Sequence, residues 1–125
     1  MKPWTLATLV VGSAMFVLAI SNEVYALTSP YALSWHVLLR KAYSVAAFTL
    51  VGVLYRRSLE ERGRAHVARS TILGLSLYSA CIEVAQALLG SREGLAWNAF
   101  DIACGTLGGA LAPLADRFVR SVLGR

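Results

Sequence analysis

Charge is scarce in this 125-residue chain. Only 15% of its residues are Asp, Glu, Lys or Arg, against 57% that are hydrophobic, and the mean hydropathy is +0.59. That balance is too apolar for an ordinary soluble domain and points to a membrane protein. Cysteine is equally sparse, with two in the whole chain, and His36 has no partner His or Cys near it. Metal-ligand spacing is therefore absent, and no metal or other cofactor is expected. No nucleophile has a base beside it and no glycine loop is suited to cradle a phosphate, so an enzyme is not expected. Two carboxyls and an Arg are all that acid/base chemistry would have to work with. A basic patch interleaved with aromatic platforms is also missing, which excludes nucleic acid as the reason for the net charge of +5. Without an evident internal repeat, alternating access in so short a chain has little scope.

What the chain does have is long apolar runs. Four spans are expected, at about 4–20, 41–55, 70–89 and 96–114, the second being the shortest and weakest against the roughly 20 residues that cross a bilayer. The fold class is thus all-α, a polytopic membrane protein forming a single domain over 1–125. The first run ends at Ser21-Asn22-Glu23 without a small-x-small cleavage pattern, so it reads as a retained span rather than a signal peptide. Between Asn22 and Arg40, Ser29-Pro30 and the series Tyr31, Trp35, His36 suit a loop or an interfacial helix at headgroup depth. The segment 56–64, with four Arg and two Glu, is expected to be a charged hairpin outside the hydrocarbon that anchors the topology. Pro113 is expected where the fourth helix finishes.

Charge asymmetry orients the spans. With both termini inside, Lys2, Arg56, Arg57, Arg62, Arg64, Arg69, Arg117, Arg120 and Arg125 lie on the cytoplasmic side and only Arg40, Lys41 and Arg92 outside. Lys and Arg resist translocation, so this arrangement is the one expected, and it fits the inner membrane of a bacterium. The excess of positive charge is then a matter of topology and of anionic headgroups.

Ionisable groups inside spans are costly, which singles out Glu83 and Asp101. Ser76, Ser79, Glu83 and Gln86 fall on one stripe of the third helix, and the stripe must face protein or a wet cleft. The short connection Gly90-Ser91-Arg92-Glu93-Gly94 makes the third and fourth helices antiparallel neighbours, bringing Glu83 and Asp101 to similar depth. Arg92 is the expected compensating cation, with Arg40 and Lys41 also in reach. This cluster is either a clamp that locks two helices or an outward-opening pocket for a headgroup, a cell-wall precursor or a cation. Gly105 and Gly109 are spaced as G-x-x-x-G with Gly108 beside them, allowing close approach of another helix within the bundle or from another subunit. Cys81 and Cys104 are expected to behave as small hydrophobes inside helices.

The run Ser79-Ala80-Cys81-Ile82-Glu83-Val84-Ala85-Gln86, then Arg92, then Asp101-Ile102-Ala103-Cys104-Gly105-Thr106-Leu107-Gly108-Gly109, resembles the signature of VanZ-like membrane proteins. That family shows I-E-x-x-Q, an Arg six residues later, then D-x-x-x-N-x-x-G. Glu83, Gln86, Arg92, Asp101 and Gly108 match, over roughly the C-terminal third of the chain. Gly105 stands where the family has Asn, and the gap from Arg92 to Asp101 is longer than usual; a second register puts Asn98 on the family's acid. The family takes its name from a protein tied to low-level resistance to the glycopeptide teicoplanin, but its members occur in many settings, so the resemblance implies membership rather than one activity. Two functions follow as expectations. The first is an accessory subunit of a larger membrane complex or homo-oligomer, using lipid-facing and glycine surfaces. The second is a stand-alone envelope protein whose pocket of Glu83, Gln86, Arg92 and Asp101 binds a lipid, a cell-wall precursor or a glycopeptide-type antibiotic.

Overall fold

The computed structural model describes residues 2–20, 36–88 and 95–124. Four helices account for nearly all of them: α1 Pro3–Ile20, α2 His36–Glu61, α3 Val67–Leu88 and α4 Leu95–Leu123. Among the described residues the chain is all-helical, as the apolar runs imply. Two of the helices, α1 and α3, are long and apolar enough to cross a membrane, with mean hydropathies of 1.9 and 1.4 over their most apolar windows.

Local chemistry explains where the helices begin and end. Pro3 occupies the first helical position of α1, where its missing N–H costs nothing. α2 ends at Gly63, whose φ of 66° is open to glycine at little cost. There Gly63 N donates to Glu60 O at 3.0 Å and Arg64 N to Leu59 O at 3.0 Å, a Schellman cap. α3 restarts at once, with Ser70 N donating to His66 O at 2.9 Å.

These boundaries correct two expectations. The segment 56–64 is not a hairpin throughout, because α2 continues to Glu61 and only the residues after it turn. Its first arginines stay helical because they have partners inside the bundle. α4 likewise runs through Pro113 to Leu123 instead of finishing there. Proline removes a single main-chain donor, and the following turns hold because Asp116 and Arg120 are tied to α2. Of the segment expected to be interfacial, 36–40 belongs to α2 and the remainder lies outside the described residues.

The packing order is set by α4, which lies against both α2 and α3; α1 is added on the far side, mostly against α2. α2 and α4 are parallel and in constant register, since Lys41 meets Asp101, Gly52 meets Ala112 and Arg57 meets Asp116. α3 runs against α4, and α1 runs against α2. The starts of α1 and α3 and the ends of α2 and α4 therefore share one end of the bundle, here called proximal; the opposite end is distal. Phe48, Val51, Leu75 and Ile82 form the core, joined by Phe16, Tyr55 and Tyr78. Tyr78 pins α1 to that core. Its ring packs edge-on to Phe48 at 6.0 Å and its hydroxyl donates to Gly12 O at 2.6 Å.

Candidate functional site

The glycines of α4 bring the helices close enough for polar groups to meet. A Cβ added at Gly105 would collide with Ser79 Cβ and lie 3.3 Å from Leu75 O, both on α3. One at Gly109 would stand 3.1 Å from Ile72 Cα, also on α3, and one at Gly108 would stand 2.9 Å from Thr49 N on α2. The three glycines thus point in two directions, and both directions are filled from within the bundle.

Above this contact lies the distal cluster. Lys41 of α2 pairs with Asp101 of α4 in a buried ion pair, the two side chains being 7% and 13% exposed. Ser79 Oγ donates to Asp101 O at 3.0 Å, and Glu83, one turn further along α3, is buried at the same level. Among the described residues the cation that meets Asp101 is Lys41, one of the three considered, delivered from 60 residues away in the chain. Arg92 lies outside the described residues, as do the side chains of Arg40, His36 and Asn98.

The stripe on α3 divides its attention. Ser76 Oγ is 2.7 Å from Thr106 Oγ1 on α4, whereas Gln86 Nε2 donates to Ala19 O of α1 at 2.7 Å. Gln86 therefore ties the distal end of α1 to α3 and is engaged away from Asp101. Cys104 is buried and Cys81 faces outward; both are free thiols.

No family model, curated protein or solved structure matches the chain. The resemblance to VanZ-like proteins rests on the quoted residues alone.

A second charged assembly sits at the proximal end. Asp116 of α4 is 3% exposed and receives Arg57 Nε at 2.7 Å and Arg120 Nε at 2.9 Å, with Arg56 Nε at 3.8 Å. Glu60 joins it, meeting Arg120 at 2.8 Å and Arg56 at 3.2 Å. The Arg120 guanidinium is held above its ordinary value chiefly by the charge of Asp116. Arg57 also lies over the Trp4 ring at 4.5 Å, which fastens the start of α1 to α2. Sequence reasoning counted the arginines and overlooked Asp116. A usable signal was present: an acid four residues before Arg120 on a helix, opposite the Arg56-Arg57 pair.

The two assemblies bracket an uncharged belt. No Asp, Glu, Lys or Arg occurs in 42–55 of α2, 70–82 of α3 or 102–115 of α4, a depth of about 20 Å at about 1.5 Å per residue. Lys41, Glu83 and Asp101 all stand at its distal edge, each on a different helix. What the distal site can do chemically is hold a polar or charged group against fixed, desolvated charges. It offers a carboxylate, an ammonium and a hydroxyl, with no activated nucleophile.

Proposed function

We propose that the chain is a VanZ-like protein of the bacterial inner membrane, crossing it four times with both termini in the cytoplasm. It works by binding at the outward-facing distal cluster rather than by catalysis. The observation that carries the reading is an inversion of polarity. Thr5, Lys41, Ser58, Thr71, Ser79, Glu83, Asp101 and Asp116 are buried, while Leu9, Val17, Leu50, Leu77, Val84, Leu107, Leu114 and Phe118 are exposed. All four helices contribute to both sets. Water would oppose such an arrangement and hydrocarbon favours it.

Two further facts support the same solvent. Hydroxyls in the belt are satisfied by their own helices, as with Thr49 to Val45 O, Thr71 to Val67 O and Thr106 to Ile102 O, the local bond available where water is absent. Exposed apolar side chains on α4 run from Phe100 to Leu114, about 21 Å along the axis, the depth of the uncharged belt, and the exposed Arg117 and Arg120 follow beyond it. The distal charges then lie inside the lipid-facing surface, at a depth where ionisable groups mark binding sites and relays. The ligand class that suits them is a polar headgroup, a cell-wall precursor or a glycopeptide-type antibiotic, taken up from the outer face.

One observation favours a second reading, that of an accessory subunit. Phe100, Leu107, Leu114 and Phe118 make an exposed stripe on α4 at near-heptad spacing, which suits a lateral partner helix. Gly105, Gly108 and Gly109 cannot supply that interface, because α2 and α3 occupy them.

The test begins with gentle-detergent extraction, size separation and mass spectrometry of whatever migrates with the native protein. Migration alone or as a small homo-oligomer is expected, whereas co-migration with one defined large complex would replace the binding reading by the subunit reading. Topology is read separately with an impermeant maleimide, in a background carrying Cys81→Ala and Cys104→Ala. Ser91→Cys should label in intact cells and Ala65→Cys only after permeabilisation. The reverse pattern overturns the orientation.

A further inference from the structure

α1 is the least tightly held helix, with only Thr5 and Gly12 buried along it. Between α1 and α3, floored by Val51 and Tyr55 of α2, runs an open apolar groove of about 570 Å³, within the roughly 300–1,000 Å³ usual for ligand sites. On α1 it extends from Thr8 to Val17, about 14 Å at about 1.5 Å per residue. That is close to the depth of one leaflet, half of a hydrocarbon core of about 30 Å. Its walls hold no charged residue, and the wall at Gly12 faces open space, since a Cβ there would meet nothing within 4 Å.

The proximal mouth of the groove has the opposite character. The turn between α2 and α3 lies at the same end of the bundle as the proximal end of the groove. Arg62 in that turn donates Nε to Thr5 Oγ1 of α1 at 3.3 Å, about one turn before Thr8, where the groove begins on α1. Arg64 on the same turn and Arg69 in the first turn of α3 are exposed. No acidic residue occurs between Arg62 and Glu83. The nearest acids on α2 are directed elsewhere: Glu60 pairs with Arg56 and Arg120, and Glu61 lines a separate recess with Trp4 and Arg57.

An apolar slot one leaflet deep, with Arg62 beside its proximal end and Arg64 exposed on the same turn, has the shape and charge of an anionic amphiphile. The geometry points to a site for an anionic phospholipid of the cytoplasmic leaflet, with one acyl chain in the groove and its phosphate against Arg62 and Arg64. The inference rests on the membrane reading above and is independent of the distal cluster.

The experiment uses the full chain in phosphatidylcholine nanodiscs doped with a phosphatidylglycerol whose acyl chain carries a diazirine, compared with phosphatidylcholine bearing the same chain. After irradiation, adducts should concentrate on residues 8–17 and 74–81, several-fold more with the anionic probe. Gly12→Leu fills the groove in open space and should cut those adducts several-fold, leaving adducts around Leu107 and Leu114 unchanged. The double change Arg62→Gln and Arg64→Gln should abolish the preference for the anionic probe. Even labelling of the groove and of α4, groove adducts insensitive to Gly12→Leu, or equal labelling by both probes would overturn the site while leaving the membrane reading intact. Recovery of the protein in the supernatant of an alkaline membrane wash would overturn the membrane reading and the site with it.

Discussion

Removing one partner of the Lys41–Asp101 pair should be far more damaging than removing both. Asp101→Asn leaves the Lys41 ammonium in a position only 7% exposed. Lys41→Met does the converse to the Asp101 carboxylate, 13% exposed. Breaking a buried pair from one side costs about 3–5 kcal/mol, because the remaining charge keeps its desolvation penalty and loses its Coulomb partner. Neither side chain has an easy escape. Each sits more than a full turn inside its helix, and Ser79 is bonded to the Asp101 carbonyl. The double replacement Lys41→Met with Asp101→Leu removes both penalties and substitutes apolar volume, so it should fall within about 1–2 kcal/mol of the native protein. The coupling energy between the sites is then at least about 3 kcal/mol. Unfolding of the purified protein by SDS in mixed micelles, followed by tryptophan fluorescence, measures all four corners of the cycle. Additive single costs, or single costs under about 1 kcal/mol, would refute the view that these charges are buried and mutually dependent. The double variant removes the Lys41 and Asp101 charges while Glu83 remains, so it also serves to test the proposed binding at the distal cluster.

The proximal network makes a contrasting prediction: Asp116→Ala should destabilise by about 3 kcal/mol or more, because three guanidinium groups converge on an acid that is 3% exposed. Arg120→Ala should cost under about 1 kcal/mol, since its side chain is 46% exposed and solvent screens it. Equal effects in the same SDS titration would show that Asp116 is not the hub. For the glycine contact, Gly105→Leu should cost about 1–3 kcal/mol or more, through collision with Ser79 Cβ and the Leu75 carbonyl. Retention of the native midpoint by that variant would mean that α3 and α4 are not packed as described.

The distribution of charge along the chain was legible from the start. Uncharged stretches of similar length, the turn chemistry at Gly63 and the isolation of Glu83 and Asp101 in apolar surroundings are all one-dimensional properties. They led directly to four helices and to the distal acids as a candidate site. The ends of the helices were less legible, because Arg56, Arg57 and Arg120 read as solvated charges when considered alone. Their helical conformation depends on partners far along the chain, Asp116 and Trp4 for Arg57 and Glu60 for Arg120. Pro113 misled for a related reason, since the helix beyond it is held by contacts with α2.

By itself, then, the sequence determined roughly where the helices of the described residues lie and which polar residues sit in apolar surroundings. Hydropathy and charge act residue by residue, and a helix of about 20 residues satisfies its own backbone whatever its neighbours. Only the tertiary structure decided who meets whom. The parallel register of α2 and α4 joins Lys41 to Asp101 and Arg57 to Asp116, and it depends on Gly52 and Gly108 letting two backbones approach. Against which partner a buried face packs follows from the fit of surfaces distant in sequence; the stripe on α3 marked a face to be buried and did not name its neighbour.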